Sequence, residues 1–383
     1  MKLVGELHER QYGRLVASLV RMLGAHRLDW AEELAQEALL RALETWPYHG
    51  VPPNPEAWLL TTAKNRAIDR LRRERLPVEP LVLVEKPCAD DQLAMIFLCC
   101  HPSLAEEMQV ALTLQVVCGL NARQIARGLM LSEPAIAQRL VRAKRQLREA
   151  GARFDAEGKL ETVLAVLYLL FNEGYAAAEP GAAWFRADLC EEAIYLARFL
   201  TATGEPAVQA LLALFLLQAS RLPARLDPAS GEAIPLPQQD RARWDRIRIA
   251  EGFARLEASA KGEAVSAYHI EAEIAAVHAA APSFAATDWA RIAELYDLLP
   301  RTPTVLLNRA IAIGYRDGPA GGLDALAPLQ SDCHLLAAAR AEFHRQAGNV
   351  EAARVYFGTA AHRARTEPER RYLAKRRDML DKT

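Results

Sequence analysis

The chain has 383 residues, of which 51% are hydrophobic and 25% are charged, and its formal net charge is -1. This composition is typical of a folded globular protein, and the length is sufficient for two or three domains with separate cores. A chain so close to neutral has no wholly basic surface, so any contact with nucleic acid must come from local basic patches.

Cysteine content and the N-terminal residues bear on the compartment. Six cysteines are too few for a disulfide scaffold in a chain of this length, and they include no C-x-x-C pair. Charged residues at Lys2, Glu6 and Glu9 interrupt any signal-peptide core. The apolar runs 163–171 and 211–217 are shorter than the roughly 20 residues of a membrane-spanning helix. We therefore predict a cytoplasmic protein that is not inserted in a membrane.

Helical patterns run along almost the whole chain, and they predict an all-α fold. Alanine and leucine dominate, and residues that begin or end helices recur at short intervals. Prolines at positions 77, 80 and 87 predict a semi-extended linker over residues 76–91. This linker separates two small helical domains, residues 1–75 and 92–151.

The composition changes in residues 152–383, where arginine clusters give way to helices rich in alanine and leucine. Two turns in this part, Asp317-Gly318 and Gly348-Asn349, lie about 31 positions apart. Such a spacing is typical of helix-turn-helix repeats of the tetratricopeptide kind. We predict a helical, tetratricopeptide-like (TPR-like) domain here, with an irregular helical bundle as the alternative.

The first informative motif is a basic helix predicted over residues 55–75. Its apolar positions, among them Leu60, Ala63 and Leu71, share one face. The other faces carry Lys64, Asn65, Arg66, Asp69, Arg72 and Arg73. They form a surface suited to phosphates, and an asparagine side chain there can hydrogen-bond a base edge. Taken alone, however, an arginine-rich helix is more often a solvated surface than a nucleic-acid site.

The second motif, residues 120–149, is a predicted helix-turn-helix. Ser132 is a good N-cap, and Pro134 is favoured in the first turn of the helix that follows. The predicted buried stripe of that helix is Ile136, Leu140, Ala143 and Leu147. Its outward face then carries Ala135, Gln138, Arg139, Arg142 and Arg145. In a helix-turn-helix this face enters the major groove of DNA. The alternative interpretation of residues 120–149 is a helical hairpin on the protein surface that does not bind DNA.

With these motifs together, the chain resembles the extracytoplasmic-function (ECF) sigma factors of bacterial RNA polymerase. Residues 29–46 resemble the family's helix that docks on the polymerase clamp, and residues 58–73 resemble the helix that reads and melts the minus-ten element. Residues 120–149 resemble the helix-turn-helix that reads the minus-thirty-five element. The stretches 90–104, 167–175 and 288–299 are similar to those of the ECF group with a C-terminal tetratricopeptide-like extension.

The resemblance implies specific roles for residues and specific partners. The clamp would be bound by Asp29, Glu33, Gln36 and Glu37. The minus-ten element would be contacted by Tyr48, Asn54, Trp58, Lys64, Asn65, Arg66, Asp69, Arg72 and Arg73. In the family a proline-rich loop, here residues 46–55, captures a flipped base, and Tyr48, His49 and Asn54 would line it. Trp58 would stack on a base, with a position in the core as the alternative. The minus-thirty-five element would be contacted by Ser132, Pro134, Ala135, Gln138, Arg139, Arg142 and Arg145.

The partners implied are core RNA polymerase, through its clamp and flap regions, promoter DNA, and a regulatory protein on the C-terminal domain. No cofactor, metal or membrane is implied, and no catalysis is required of this chain. Two departures from the family pattern lie in the helix-turn-helix, where many members have glycine at the position of Met130 and Gly-Thr in place of Pro134-Ala135. The promoter sequence therefore cannot be carried over from other members.

Two rival interpretations remain. A helix-turn-helix regulator that acts without polymerase explains residues 120–149 but leaves residues 29–73 without a role. An enzyme or zinc site at Cys99, Cys100 and His101 is the other, but adjacent side chains on a helix point about 100° apart and do not converge. We predict instead that His101-Pro102 ends one helix and that Ser103, with Glu106, forms a capping box for the next.

Overall fold

The computed structural model describes residues 2–74, 89–129, 131–154, 159–175, 187–227, 229–230, 232, 234–262, 264–364 and 367–380. Every regular element in these residues is a helix, as the sequence predicts. The chain divides into two compact units, Met1–Leu170 and Phe171–Thr383.

The helices of the first unit are α1 (Lys2–Leu23), α2 (Leu28–His49), α3 (Pro55–Arg73), α4 (Ala89–Cys99), α5 (Glu106–Val116), α6 (Ala122–Gly128) and α7 (Glu133–Glu149), and α8 (Leu160–Tyr175) begins in it. Helices α1 to α3 pack on one another around Leu19, Leu34 and Leu59, each of which is almost fully buried. Most of the predicted linker, residues 76–88, lies outside the described residues.

Helix α1 also contacts α4 and α5, which joins the two small domains of this unit. The contact is close at Gly13, where a Cβ atom would lie 2.1 Å from the carbonyl oxygen of Val117. Only glycine permits this approach of one backbone to another. Deeper in α4, Met95 and Ile96 are fully buried, and Asp91 near its start is 1% exposed.

The loop predicted over residues 46–55 is shorter than expected. Helix α2 continues through Pro47 to His49, and Gly50, at a φ of 79°, closes it by donating its N–H to the carbonyl of Trp46. A proline so near the C-terminus removes one helical hydrogen bond, while buried Trp46 anchors the same turn. Tyr48 and His49 therefore lie on the last turn of α2 rather than in a loop.

The stretch around Cys99 and Cys100 confirms one prediction and corrects another. Helix α4 ends at Cys99 before His101-Pro102, as predicted. The capping box at Ser103 is wrong, because α5 begins after Ala105, which makes no side-chain cap. The Ser103 hydroxyl lies instead 2.8 Å from His101 Nδ1.

The connection between α4 and α5 is held by a buried side chain of α5 itself, that of Gln109. The amide of Gln109 donates to the carbonyls of Cys100, His101 and Leu104 at 3.4, 3.2 and 3.1 Å. These hydrogen bonds satisfy carbonyls of a non-helical turn, and they hold this turn outside the helix, so α5 begins after Ala105.

The helices of the second unit are α9 (Ala187–Leu200), α10 (Pro206–Ala219), α11 (Arg246–Ser259), α12 (Ala267–Ala280), α13 (Trp289–Asp297), α14 (Pro303–Asp317), α15 (Pro319–Leu326), α16 (His334–Gln346), α17 (Val350–Arg363) and α18 (Glu367–Met379). Helix α10 is buried along almost its whole length and contacts α9, α11 and α12. The segment Pro206–Ala224 is long and apolar enough to cross a membrane, but 72% of its apolar window is buried inside the protein, as expected of a core helix.

Helices α13 to α18 follow one another as contacting neighbours. The two predicted turns are present, with Gly318 at a φ of 90° and Gly348 at a φ of 79°. Phe343 of α16 packs against Gly314 and Gly322, where a Cβ atom would lie 2.1 and 2.7 Å from its ring. This succession of helical hairpins agrees with the spacing of the turns, and the TPR-like assignment itself stays a prediction.

Candidate nucleic-acid interface

The first basic surface lies on α3, whose buried stripe of Leu60, Ala63, Ala67 and Leu71 agrees with the prediction, with Ile68 half-buried at its edge. The exposed positions are Asn65, Arg66, Asp69, Arg72 and Arg73, and Lys64 is half-buried. Asn54 caps this helix by accepting the N–H of Ala57 at 3.1 Å. The helix thus presents its basic side chains to solvent with its start held by Asn54.

Two tryptophans connect the end of α2 to the start of α3. Trp46 is buried, and Trp58 packs on it edge to face with ring centroids 5.5 Å apart. Trp58 is half-buried, so one part of its ring belongs to the core and the rest faces solvent. Tyr48 is 85% exposed on the last turn of α2. The rings of Trp58 and Tyr48 therefore both offer apolar surface on which a base can stack.

The second basic surface lies on α7, and its start and buried stripe are as predicted. Ser132 caps the helix by accepting the N–H of Ala135 at 3.3 Å. Exposed positions on this helix and its cap are Ser132, Pro134, Gln138, Arg142 and Arg145, with Ala135 half-buried. The preceding helix, α6, starts with a capping box in which the backbone N–H of Asn121 and that of Gln124 each donate to the other residue's side-chain oxygen at 2.9 Å. Met130 lies outside the described residues.

Arg139 differs from the expectation that it faces outward. Its side chain is 17% exposed, and its guanidinium lies 2.8 Å from the carboxylate of Glu107 on α5. The pair ties α7 to α5 within the second small domain. Because its guanidinium is paired with Glu107, Arg139 has fewer N–H donors available to a phosphate than the exposed Arg142 has.

The acidic surface on α2 makes contacts that the sequence does not reveal. Lys144 of α7 lies 2.5 Å from Glu32 and 3.2 Å from Asp29, and Arg148 lies 2.8 Å from Asp29. Burial raises the pKa of the Glu32 carboxyl, and the neighbouring Lys144 ammonium opposes this shift. The helix that carries the predicted clamp residues is therefore joined by ion pairs to the helix predicted to read DNA.

The other predicted clamp residues differ in how they are held. Glu33 accepts from Arg70 of α3 at 2.5 Å, and the same guanidinium lies 4.4 Å from the ring centre of Trp30. Gln36 and Glu37 are exposed. The acidic surface is thus partly engaged within the chain and partly open to solvent.

A second set of contacts holds the start of α4 against α1. Asp91 lies 2.7 Å from Arg21, and the Oγ of Ser18 lies 3.5 Å from the same carboxylate. Next to it, Arg14 donates to Gln92 at 3.2 Å. These contacts fix the second small domain on α1, so the pairing of Lys144 with Glu32 is not the only link.

No group of three His, Cys, Asp or Glu side chains that could hold a metal ion occurs in the part of the chain that the structure describes. Cys99 and Cys100 are both buried. Burial raises the pKa of both thiols, that of Cys100 to about 12. A thiol in this environment stays protonated, which does not suit a ligand or a nucleophile.

Comparison with known proteins agrees with these surfaces. Residues 10–76 match the family described as sigma-70 region 2, residues 94–147 match sigma-70 region 4, and residues 159–260 match a family of unknown function, DUF6596. An uncharacterized protein, R00370, of Rhizobium meliloti (strain 1021) is 38% identical over 402 residues, which cover 96% of this chain and 95% of that protein. No solved structure matches the chain.

Two small helical domains with exposed basic helices, in this order, define a protein that recognises promoters as sigma-70 factors do. The chain belongs to the ECF-type sigma factors that carry a C-terminal extension. Members of this family are transcription factors rather than enzymes.

Proposed function

We propose that this sigma factor binds core RNA polymerase and directs initiation at promoters read by α3 and α7, and that residues 152–383 modulate this activity in the cytoplasm. The observation that carries the proposal is the exposure of two basic helix faces, one in each small domain. Each of these faces has polar or cationic side chains at the positions that the family uses for DNA.

On the minus-ten side, Arg66, Arg72 and Arg73 neutralise phosphates, and Asn65 contacts a base edge. Neither Arg66 nor Arg72 makes an ion pair with another residue that the structure describes, so no internal partner has to be displaced. Trp58 and Tyr48 supply ring surface for an unstacked base. Asn54 holds the start of α3, so its part in binding is to position the helix that carries these groups.

On the minus-thirty-five side, Arg142 contacts phosphate and Gln138 reaches a base edge in the major groove. Arg145 also contacts phosphate after leaving Glu149, which lies 3.6 Å away in the same helix. Ser132, Pro134 and Ala135 bring the first turn of α7 to the groove. Arg139 orients the helix through Glu107.

On the polymerase side, Asp29, Glu33, Gln36 and Glu37 bind cationic residues of the clamp. Asp29 cannot meet a clamp cation and keep both Lys144 and Arg148, so binding exchanges internal ion pairs for external ones. The net free energy of that exchange is small, because exposed ion pairs contribute only about 0.2–1 kcal/mol each. The exposed pair of Arg148 with Asp29 therefore gives way at little cost when polymerase takes up α2.

The test is reconstitution of the full chain with core RNA polymerase on a library of promoter fragments. We expect initiation at a defined subset of sequences with paired minus-ten and minus-thirty-five elements. Sequence-specific DNA binding without initiation would identify a helix-turn-helix regulator and contradict the proposal.

The part played by the extension is tested with a chain that ends at residue 154. Promoter-DNA binding by this shorter chain first establishes that its α7 surface is intact. Initiation by the truncated and full chains is then compared on the same promoters. Equal initiation by the two would remove the proposed modulation.

A further inference from the structure

A cavity of about 340 Å³ lies within the second unit, between α10, α12, α13 and α14. Neither the sequence motifs nor the proposed role in promoter recognition accounts for it. Its volume falls within the range of roughly 300–1,000 Å³ of small-molecule sites, which are typically lined by aromatic groups with a few polar ones.

One wall of the cavity is aromatic. Trp289 of α13 and Tyr315 of α14 stack with their ring centroids 4.7 Å apart and an angle of 29° between their planes. Phe284 meets both rings edge-on, at 5.0 and 4.9 Å. These three rings form a continuous apolar surface, with Ile292 and Ile311 beside it in the same lining. Such a surface suits a flat, apolar ligand group.

A second part of the cavity, which adjoins the aromatic wall where His278 meets Trp289 at 5.3 Å between ring centroids, has an excess of positive charge. Arg221 lines it, and Arg241 lies close by, with both guanidiniums beside the indole of Trp244, at 5.4 and 4.0 Å from its centre. Among the described residues, no carboxylate forms an ion pair with either arginine. The hydrogen bonds of Arg221 and Arg241 go to neutral groups, the side chain of Gln239 and the carbonyl of His278.

The polar atoms on this side are incompletely satisfied. In Arg241, Nε and Nη2 are buried and meet no hydrogen-bond acceptor in the described part of the chain, and the same holds for Nδ1 of His278. Burial and the two nearby arginines lower the pKa of His278 to about 3, so this imidazole is neutral at pH 7. Partly buried cations without a counterion are costly, so this side is complementary to an anion.

We propose that this cavity binds a small aromatic carboxylate, with its ring on Trp289 and Tyr315 and its carboxylate on the guanidinium of Arg221. A carboxylate matches the planar fork of an arginine and can accept two hydrogen bonds from it. The cavity accommodates a ligand of about two fused rings. The inference goes beyond the proposed function, since ligand binding by the second unit does not require polymerase or promoter DNA.

The experiment compares three probes on the full chain by isothermal titration and by tryptophan fluorescence. The probes are 1-naphthaleneacetate, its uncharged amide, and acetate, which has the anion without the ring. We expect the aromatic carboxylate to bind at least tenfold more tightly than the amide and to change the tryptophan emission. Acetate is expected to show no saturable binding.

Three variants locate the site. Arg221→Gln is expected to bring the affinity of the carboxylate down to that of the amide, and Trp289→Leu to weaken both. Arg301→Gln, which removes an exposed arginine of the same unit away from the cavity lining, is the matched control and should behave as the parent. Circular dichroism and the Tm of each variant report whether it folds.

Three results would overturn the proposal. One is the absence of binding by either naphthalene probe, and another is equal affinity of the parent chain for the carboxylate and the amide. The third is an unchanged preference for the carboxylate in a folded Arg221→Gln variant. The comparison of probes on the parent stands even if a variant does not fold, and none of these results bears on initiation at promoters.

Discussion

The ammonium of Lys144 on α7 lies 2.5 Å from the carboxylate of Glu32 on α2, and both side chains are largely buried, with 14% and 7% of their surfaces exposed. This ion pair joins the two small domains of the first unit. A buried charge that loses its partner is strongly destabilising, whereas replacing both members by uncharged groups of similar size is often nearly neutral.

Lys144→Met is therefore expected to lower the free energy of unfolding of the first unit by about 2 kcal/mol, because it leaves Glu32 buried without its partner. The double variant Glu32→Gln/Lys144→Met should lose less free energy of unfolding than the sum of the losses in the two single variants. Urea unfolding of the full chain measures each value. Strict additivity of the two substitutions would mean that the pair is not coupled.

Arg148→Ala is expected to raise the affinity for core polymerase about twofold to fivefold. It removes one internal partner of Asp29, and an exposed ion pair of this kind is worth about 0.5–1 kcal/mol. Asp29→Asn should lower the same affinity. Arg153→Ala, at another exposed arginine of this unit, is the matched control, and a gain of equal size there would show that the effect is not specific to Asp29.

Arg142→Ala is expected to weaken binding to promoter DNA and to reduce the dependence of log K on log salt concentration by about one unit, as the loss of one phosphate contact does. Arg139→Ala is the control on the same helix, since its guanidinium is held by Glu107. We expect Arg139→Ala to leave the salt slope nearly unchanged. Salt titrations by fluorescence anisotropy compare the two, and equal slopes would contradict the assignment.

Cys99 and Cys100 are expected to resist alkylation in the folded protein at pH 8 and to react in urea. Burial raises the pKa of Cys100 to about 12, so the reactive thiolate is scarce at pH 8. Because the pKa in the unfolded chain is lower, the two thiols favour folding less as pH rises above about 9. Mass spectrometry of iodoacetamide-treated peptides measures the rates, and rapid labelling before unfolding would contradict their burial.

His278 is expected to make the second unit less stable in acid. Its pKa is about 3 in the folded chain and about 6.5 when unfolded, so the unfolded state binds the extra proton between these values. The free energy of unfolding should then fall as pH decreases from about 6.5 toward 3. His278→Phe should reduce this slope, whereas His362→Phe, at an exposed histidine of the same unit, should not. Urea midpoints at several pH values provide the measurement.

Several features of the fold and the candidate site can be predicted from local patterns. The start of α7 at Ser132 and its stripe of Ile136, Leu140, Ala143 and Leu147 follow from a cap and a helical period, which act over one or two turns. The capping box at Ser103 fails for a complementary reason. Gln109, further along the chain, donates to carbonyls of the turn and holds it outside the helix, so α5 begins after Ala105 instead.

The sequence by itself determined the helical class, the order of the two basic helices, and the turns at Gly318 and Gly348, because periodicity, caps and positive φ are local properties. Only the tertiary structure decided that Lys144 and Arg148 meet α2, since Arg148 and Asp29 are 119 positions apart. It likewise brought Arg221, Trp289 and Tyr315 into the lining of one cavity. Charge complementarity acts through space, and no local pattern states which helices will bring such groups together.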